Sequence, residues 1–234
     1  MPCVPPIPAK EQDQMVDEIQ IFLDSGSIED IEKYVSSTKI EGFTTNPSLL
    51  RKSGIVDYRA FAKLVLGIVG EKEVSFEVLA DDLETMGRQA REIASWGRNV
   101  WVKIPITTTE GDSTIPLVET LKEVNINLTA VFTEKQMDSA TAVLKERDIL
   151  SVFCGRILDT QRPVPYCNRW RVCRTLYAST RQVYAVTEAK KNGYDIITMT
   201  PDLIEKLPLE GKDLAEYSLD TVKQFYNDAK GIVL

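Results

Sequence analysis

The chain of 234 residues contains no histidine. That excludes a His base, a Ser-His or Cys-His pair and a His-ligated metal. Acid–base chemistry falls instead to carboxylates, lysines, tyrosines, thiols or bound water. Cysteine is nearly as scarce: Cys3, Cys154, Cys167 and Cys173 include no Cys-x-x-Cys pair. Such sparse thiols point to a reducing compartment rather than to a disulfide framework or a zinc site. Long apolar runs are missing as well. Leu64 to Val69, broken by Gly67, is far too short to cross a bilayer. The opening MPCVPPIPAK lacks the basic stretch and apolar core of a secretory signal, so a cytoplasmic protein is expected. Positive charge is outweighed, 28 basic against 35 acidic residues for a net −7, which argues against nucleic acid or an anionic membrane as partner. No Gly-x-Gly-x-x-Gly, Walker or EF-hand pattern occurs, and nothing calls for a metal or organic cofactor.

What is present is a regular alternation. Pro2, Pro5, Pro6 and Pro8 disfavour a helix or strand at the start, so residues 1–17 read as a flexible or extended N-terminal extension. Beyond it, β-branched runs begin near Gln20, Glu41, Val74, Val100, Ile126, Ile149, Thr175 and Asp195. Each interval has room for one strand and one helix. Ser27 with Asp30, and Thr133 with Gln136, read as reciprocal helix caps. Thr200-Pro201 places Pro at a first helical position, and Asn192-Gly193 is a left-handed helix stop. Eight such units predict an α/β protein, a single (β/α)8 TIM barrel over residues 18–234. A final helix from about Asp213 to Asn227 is expected to pack over the barrel.

Within four strands the side chains alternate sharply. Ser75 and Glu77, Lys103, Asn127 and Thr129, and Ser151 with Phe153 sit between apolar neighbours. Successive side chains face opposite ways along a strand. In a barrel covered by helices, the apolar set packs outward and the other set points into the lumen. Unpaired polar groups there cost roughly 1–3 kcal/mol each, and charges more. The pattern therefore predicts a constructed site. Lys103 is its natural nucleophile, because a desolvated lysine holds more free amine and can form a Schiff base with a carbonyl. The alternative is a lysine that snorkels to water or pairs structurally with Glu77. Glu77 and Asp24 are the acid–base candidates, although a strand-end Asp such as Asp24 can equally cap a helix.

The segments GFTTNPSL (Gly42 to Leu49), VSFEV, VWVKIPITTTEG, NLTAVFTEKQ, SVFCGRILD, YASTR and DIITM occur in the order of the transaldolase family, which this chain resembles from about Ile19 to Leu207. The similarity is to its short subfamily, which includes the fructose-6-phosphate aldolases. The resemblance implies class I aldolase chemistry. Lys103 would form the Schiff base with the C2 ketone of a ketose phosphate, and Asp24 would take the C4 hydroxyl proton. Glu77 with Thr129 would hold the water that shuttles protons. Thr45, Asn46 and Asn127 would grip the dihydroxyacetone unit with Ser151 and Phe153 beside them, and Arg156, Ser179 and Arg181 would clamp phosphate. A homo-oligomer assembled through the final helix is also implied.

The lyases of the subfamily carry Gln at the position of Glu77 and Tyr at that of Phe153, so these two residues favour transfer to an aldehyde over release of dihydroxyacetone. The chain also departs from the family. Val152 stands where Pro is usual, and the stretch from Ser151 to Ser179 is short. TQRPVPYCNRWRVCR (Thr160 to Arg174) does not read as the sixth helix. Loss of that helix would expose apolar barrel surface and leave a sugar-phosphate-binding protein without catalysis as a further possibility. Arg162, Arg169, Arg171 and Arg174 read as a solvated basic loop rather than a second anion site.

Overall fold

The computed structural model describes residues 19–233. The N-terminal extension expected over 1–17 lies outside them. Eight strands, β1 (Gln20–Asp24), β2 (Ile40–Thr44), β3 (Glu73–Glu77), β4 (Val100–Pro105), β5 (Ile126–Val131), β6 (Ile149–Val152), β7 (Arg174–Tyr177) and β8 (Ile196–Met199), pair in sequence order into a closed parallel barrel. Each begins within one residue of the sequence expectation. Between them run α1 (Ile28–Val35), α2 (Pro47–Lys52), α3 (Tyr58–Val69), α4 (Leu83–Ala94), α5 (Ile115–Thr120), α6 (Glu134–Thr141), α7 (Cys154–Asp159) and α8 (Ala185–Lys191). After β8 come α9 (Pro201–Ile204) and α10 (Leu214–Asp228). The fold is a single (β/α)8 barrel. No helix among the described residues is long and apolar enough to cross a membrane.

Local chemistry sets the helix starts. The Thr133–Gln136 capping box is complete, and Pro201 opens α9. The expected reciprocal cap at Ser27 is only half formed. Its hydroxyl accepts from the Asp30 amide, but the Asp30 carboxylate and the Ser27 amide both turn to the Ser25 hydroxyl, at 2.7 and 3.1 Å. Ser25, one residue after the strand, outcompetes the reciprocal partner because it reaches both groups at once.

The outward-facing residues, such as Val74, Phe76, Val102, Ile104 and Leu128, form one continuous apolar shell with the helices. A second cluster of Phe22, Ile149, Leu176 and Ile196, with Trp101 against it, fills the lower lumen. Gly42 makes room there: a Cβ would lie 2.6 Å from the Phe22 ring. Apolar plugging below leaves the upper lumen, at the carboxyl ends of the strands, for polar groups.

The sixth unit follows the sequence reading in part. Its helix α7 has six residues, and no regular element spans Thr160 to Tyr166. The barrel wall is nevertheless not bare. Val164, Cys167, Trp170 and Cys173 are buried in the main core, with a 3-10 turn at Cys167–Trp170. Irregular chain fills the space because these side chains reach the wall without a helical period. Three of the four basic residues around it have local partners: Arg169 pairs with Asp138 and stacks on Trp170, Arg174 pairs with Glu73, and Arg171 donates to Asn168.

The terminal helix departs from expectation. No residue of α10 is buried, and Leu214 and Phe225 are 80% and 65% exposed. It does not pack over its own barrel, whose wall the other helices and the irregular segment before β7 already cover.

Candidate active site

A cavity of about 500 Å³ opens at the carboxyl ends of the strands. Parity places its floor. Asp24, Thr44, Glu77, Lys103, Thr129, Ser151 and Thr198 come from β1, β2, β3, β4, β5, β6 and β8, the loops after the strands supply Asn46, Phe153, Ser179 and Arg181, and α7 supplies Arg156.

Lys103 is 6% exposed and points inward. Its ammonium donates to the Thr45 carbonyl at 2.6 Å and lies 3.2 Å from Glu77 Oε2. It neither sits on an edge strand nor snorkels out. It does pair with Glu77, and it opens on the cavity as well. The backbone amide of Glu77 donates to the Tyr58 hydroxyl at 2.8 Å, fixing the end of β3. Burial raises the Tyr58 phenol above its ordinary range, so it stays a neutral acceptor. Thr129 Oγ1 is buried without a hydrogen-bond partner among the described residues, on the strand next to Lys103.

Asp24 does not cap α1; Ser27 does. Its Oδ1 accepts from the Thr44 hydroxyl at 2.8 Å, and the Asn46 amide approaches Oδ2 at 3.5 Å. Asn46 is itself the N-cap of α2, its Oδ1 accepting from the Leu49 amide at 3.0 Å. The cap turns its NH2 group toward Asp24. Burial raises the Asp24 carboxyl above the usual carboxylate range, against the opposing pull of Lys103 and of the Thr44 and Asn46 hydrogen bonds. Between its unfolded and folded values the native chain holds a proton that the unfolded chain has lost. Stability therefore falls as pH rises through that window and stays lower above it. Asp24→Asn should melt at a higher temperature than wild type, with the gap opening from about pH 4 upward and closing in acid. Calorimetry from pH 3.5 to 8 measures it; no pH-dependent gap would contradict the assignment.

Two residues expected to grip substrate lie elsewhere. The Thr45 side chain is fully buried and donates to the Ser75 carbonyl at 3.1 Å. It stands one position past β2, so it turns away from the lumen, and only its carbonyl serves Lys103. Asn127 is fully buried and bonded to Ser75 at 3.0 Å and to Ser151 at 2.6 Å. It belongs to the layer under the cavity and touches it only through the Ser151 hydroxyl. Ala130 follows the inward Thr129, so strict alternation would turn it outward, yet it lines the cavity. A register shift between Leu128 and Val131 puts it at φ 58°, a left-handed value that turns it inward.

At the mouth, the Arg156 guanidinium lies 5.1 Å over the Phe153 ring, which packs against Phe132. Arg181 donates to Asp159 on α7 at 3.1 Å. Ser179 takes φ 61°, and the Gly155 amide donates to the Ala178 carbonyl at 3.3 Å. Two arginines beside one opening suit a doubly charged, tetrahedral anion. The thiols among the described residues offer no competing nucleophile. Cys154 is buried and donates to Tyr194 at 3.1 Å, and burial pushes the Cys167 and Cys173 thiols up to about 12. No group of three or more Cys, Asp or Glu side chains among the described residues is arranged to hold a metal ion.

Sequence reasoning missed Thr44 and Thr198. Both lie on the lumen face by the two-residue period, so alternation in IEGFT and IITM was a usable signal.

Solved structures of low identity share the barrel. KGPDC from Streptococcus mutans superposes with a TM-score of 0.54 at 10% identity, covering 82% of this chain and 90% of that one. Dihydrodipicolinate synthase from Rhodopseudomonas palustris gives 0.51 at 15% identity, covering 87% and 79%. Sequence is more specific. A protein of Dehalococcoides mccartyi named "Probable transaldolase" is 31% identical over 86% of this chain and 97% of its own length. One of the same name from Carboxydothermus hydrogenoformans is 35% identical over 77% of this chain and 86% of its own. The family model described as Transaldolase/Fructose-6-phosphate aldolase matches residues 21–233, and with a lysine inside the barrel beside a carboxylate, the chain belongs to that family.

Proposed function

We propose that the protein is a transaldolase, moving a dihydroxyacetone unit from a ketose phosphate to an aldose acceptor through a Schiff base on Lys103. The observation that carries this reading is the buried Lys103 amine opening on a cavity whose mouth holds Arg156 and Arg181. Fructose 6-phosphate or sedoheptulose 7-phosphate fits such a site, its phosphate between the arginines and its carbonyl at the amine. The free amine adds to the C2 ketone, and the carbinolamine loses water. Glu77 and Thr129 hold the water that carries protons in this step; Thr129 has a hydroxyl to spare and Glu77 is already beside Lys103. Asp24 then accepts the proton of the C4 hydroxyl. The C3–C4 bond breaks, an aldose phosphate leaves, and the electron pair rests in an enamine on Lys103. Asn46 and Ser151 hold the bound unit's hydroxyls. An acceptor aldehyde takes up the enamine, Asp24 returns the proton, and water frees the new ketose.

Phe153 brings no hydroxyl to the enamine, and Glu77 is an ionisable carboxylate; both favour transfer over release of free dihydroxyacetone. Incubation with fructose 6-phosphate separates the two. Turnover should depend on added erythrose 4-phosphate, yielding sedoheptulose 7-phosphate. Equal turnover without acceptor, with free dihydroxyacetone accumulating, would make the protein a lyase instead. We propose further that the exposed apolar face of α10, with Tyr217, Val222, Phe225 and Tyr226, is covered by a second copy of the chain. Light scattering that finds only monomer would refute this.

A further inference from the structure

Strand β1 lies between β2 and β8, with Asp24 opposite Thr44 and Phe22 opposite Thr198. The two threonines meet inside the lumen. Their hydroxyls are 2.6 Å apart, Thr44 donates to Asp24 Oδ1 at 2.8 Å, and Thr198 has a longer contact of 3.4 Å with the Phe22 carbonyl. Both are buried in the cavity floor.

We propose that Thr198 is a positioning residue for Asp24, acting through the hydroxyl of Thr44; this rests on the reading of Asp24 as the base for a substrate hydroxyl. The argument is a count of protons. Each hydroxyl has one. With Asp24 ionised, Thr44 spends its proton on Oδ1, so the 2.6 Å contact is made by the proton of Thr198. Thr198 thereby fixes the Thr44 rotor as a donor to Asp24 and polarises that charge-assisted bond. With Oδ1 committed, Oδ2, on the side of the Asn46 amide, is the oxygen left to receive the substrate's proton. A proton arriving on Oδ2 leaves Oδ1 an acceptor, so neither hydroxyl need turn during the step. The donors are set before reaction.

The test is Thr198→Val, which removes the hydroxyl at nearly constant volume, beside Thr198→Ser, which keeps it. The charged groups facing the cavity with Asp24 are Lys103, Glu77, Arg156 and Arg181, and neither variant alters them. The pH dependence of kcat and kcat/KM for ketose-phosphate cleavage is measured, together with borohydride trapping of the substrate on Lys103. The valine variant should trap on Lys103 as wild type does, with kcat lower by roughly tenfold and KM within about threefold. Its acid limb should move upward by about half a pH unit or more, and serine should restore both. A wild-type kcat and acid limb in the valine variant would overturn the proposal, as would a serine variant no better than valine, which would mark a packing role. If the valine variant does not fold, the serine variant decides: it must keep the wild-type acid limb. Failure of wild-type protein to trap substrate on Lys103 sinks the reading of the site itself, a different result from an unmoved acid limb.

Discussion

Lys103→Met is expected to leave a folded barrel whose turnover is lower by about 10⁴–10⁶-fold, the scale of removing a covalent nucleophile. Met has nearly the length and volume of the lysine stem, and the position is 6% exposed among apolar strands. The loss is therefore chemical, since no other amine lines the cavity. Glu77 is left without its partner at 3.2 Å. Lys103→Arg separates charge from nucleophile: it keeps the cation near Glu77 but offers no free amine, so it should be as inactive as Met. Steady-state rates on fructose 6-phosphate, with circular dichroism to establish folding, read the effect. An arginine variant with substantial turnover would reduce Lys103 to a structural cation.

The second large effect is expected at a residue with no side chain. An ideal Cβ on Gly155 would lie 1.7 Å from the Ser179 carbonyl oxygen and 3.1 Å from Arg181 Cγ. No rotamer relieves a clash with backbone, so Gly155→Ala has to push the loop after β7. That loop holds Ser179 in its left-handed conformation and sends Arg181 to the cavity mouth. Overpacking of this kind costs about 1–3 kcal/mol of stability. Displacing one charge-assisted contact to phosphate costs a further 1.5–3 kcal/mol in binding, about 10- to 150-fold. KM for a phosphorylated donor should rise by about that factor, while kcat/KM with an unphosphorylated ketose donor such as fructose changes little. Unchanged KM for fructose 6-phosphate in a stable alanine variant would show that Arg181 is not held from Gly155.

The eight strands and their lumen faces were legible in the sequence because a period of two is strict and each strand is flanked by a helix-sized interval. Lys103, Glu77 and Ser151 followed from that alternation alone. Thr45 was misplaced because a motif of adjacent threonines gives no parity by itself. Its neighbour Thr44 still lies in β2 and faces Asp24, while Thr45 has left the strand. Ala130 could not be read, since a register shift breaks the period without leaving a glycine as its sign. The segment from Thr160 to Trp170 has apolar residues but no helical period, so its filling of the barrel wall was visible only in three dimensions. The final helix was expected to pack over the barrel, and its apolar residues do not by themselves say which surface they meet.

The central claim is a covalent one, and borohydride tests it most directly. Protein incubated with fructose 6-phosphate, reduced and digested should carry a reduced dihydroxyacetone adduct on the peptide containing Lys103 and on no other, and Lys103→Met should carry none. Active protein without an adduct, or with one on a different lysine, would contradict the account.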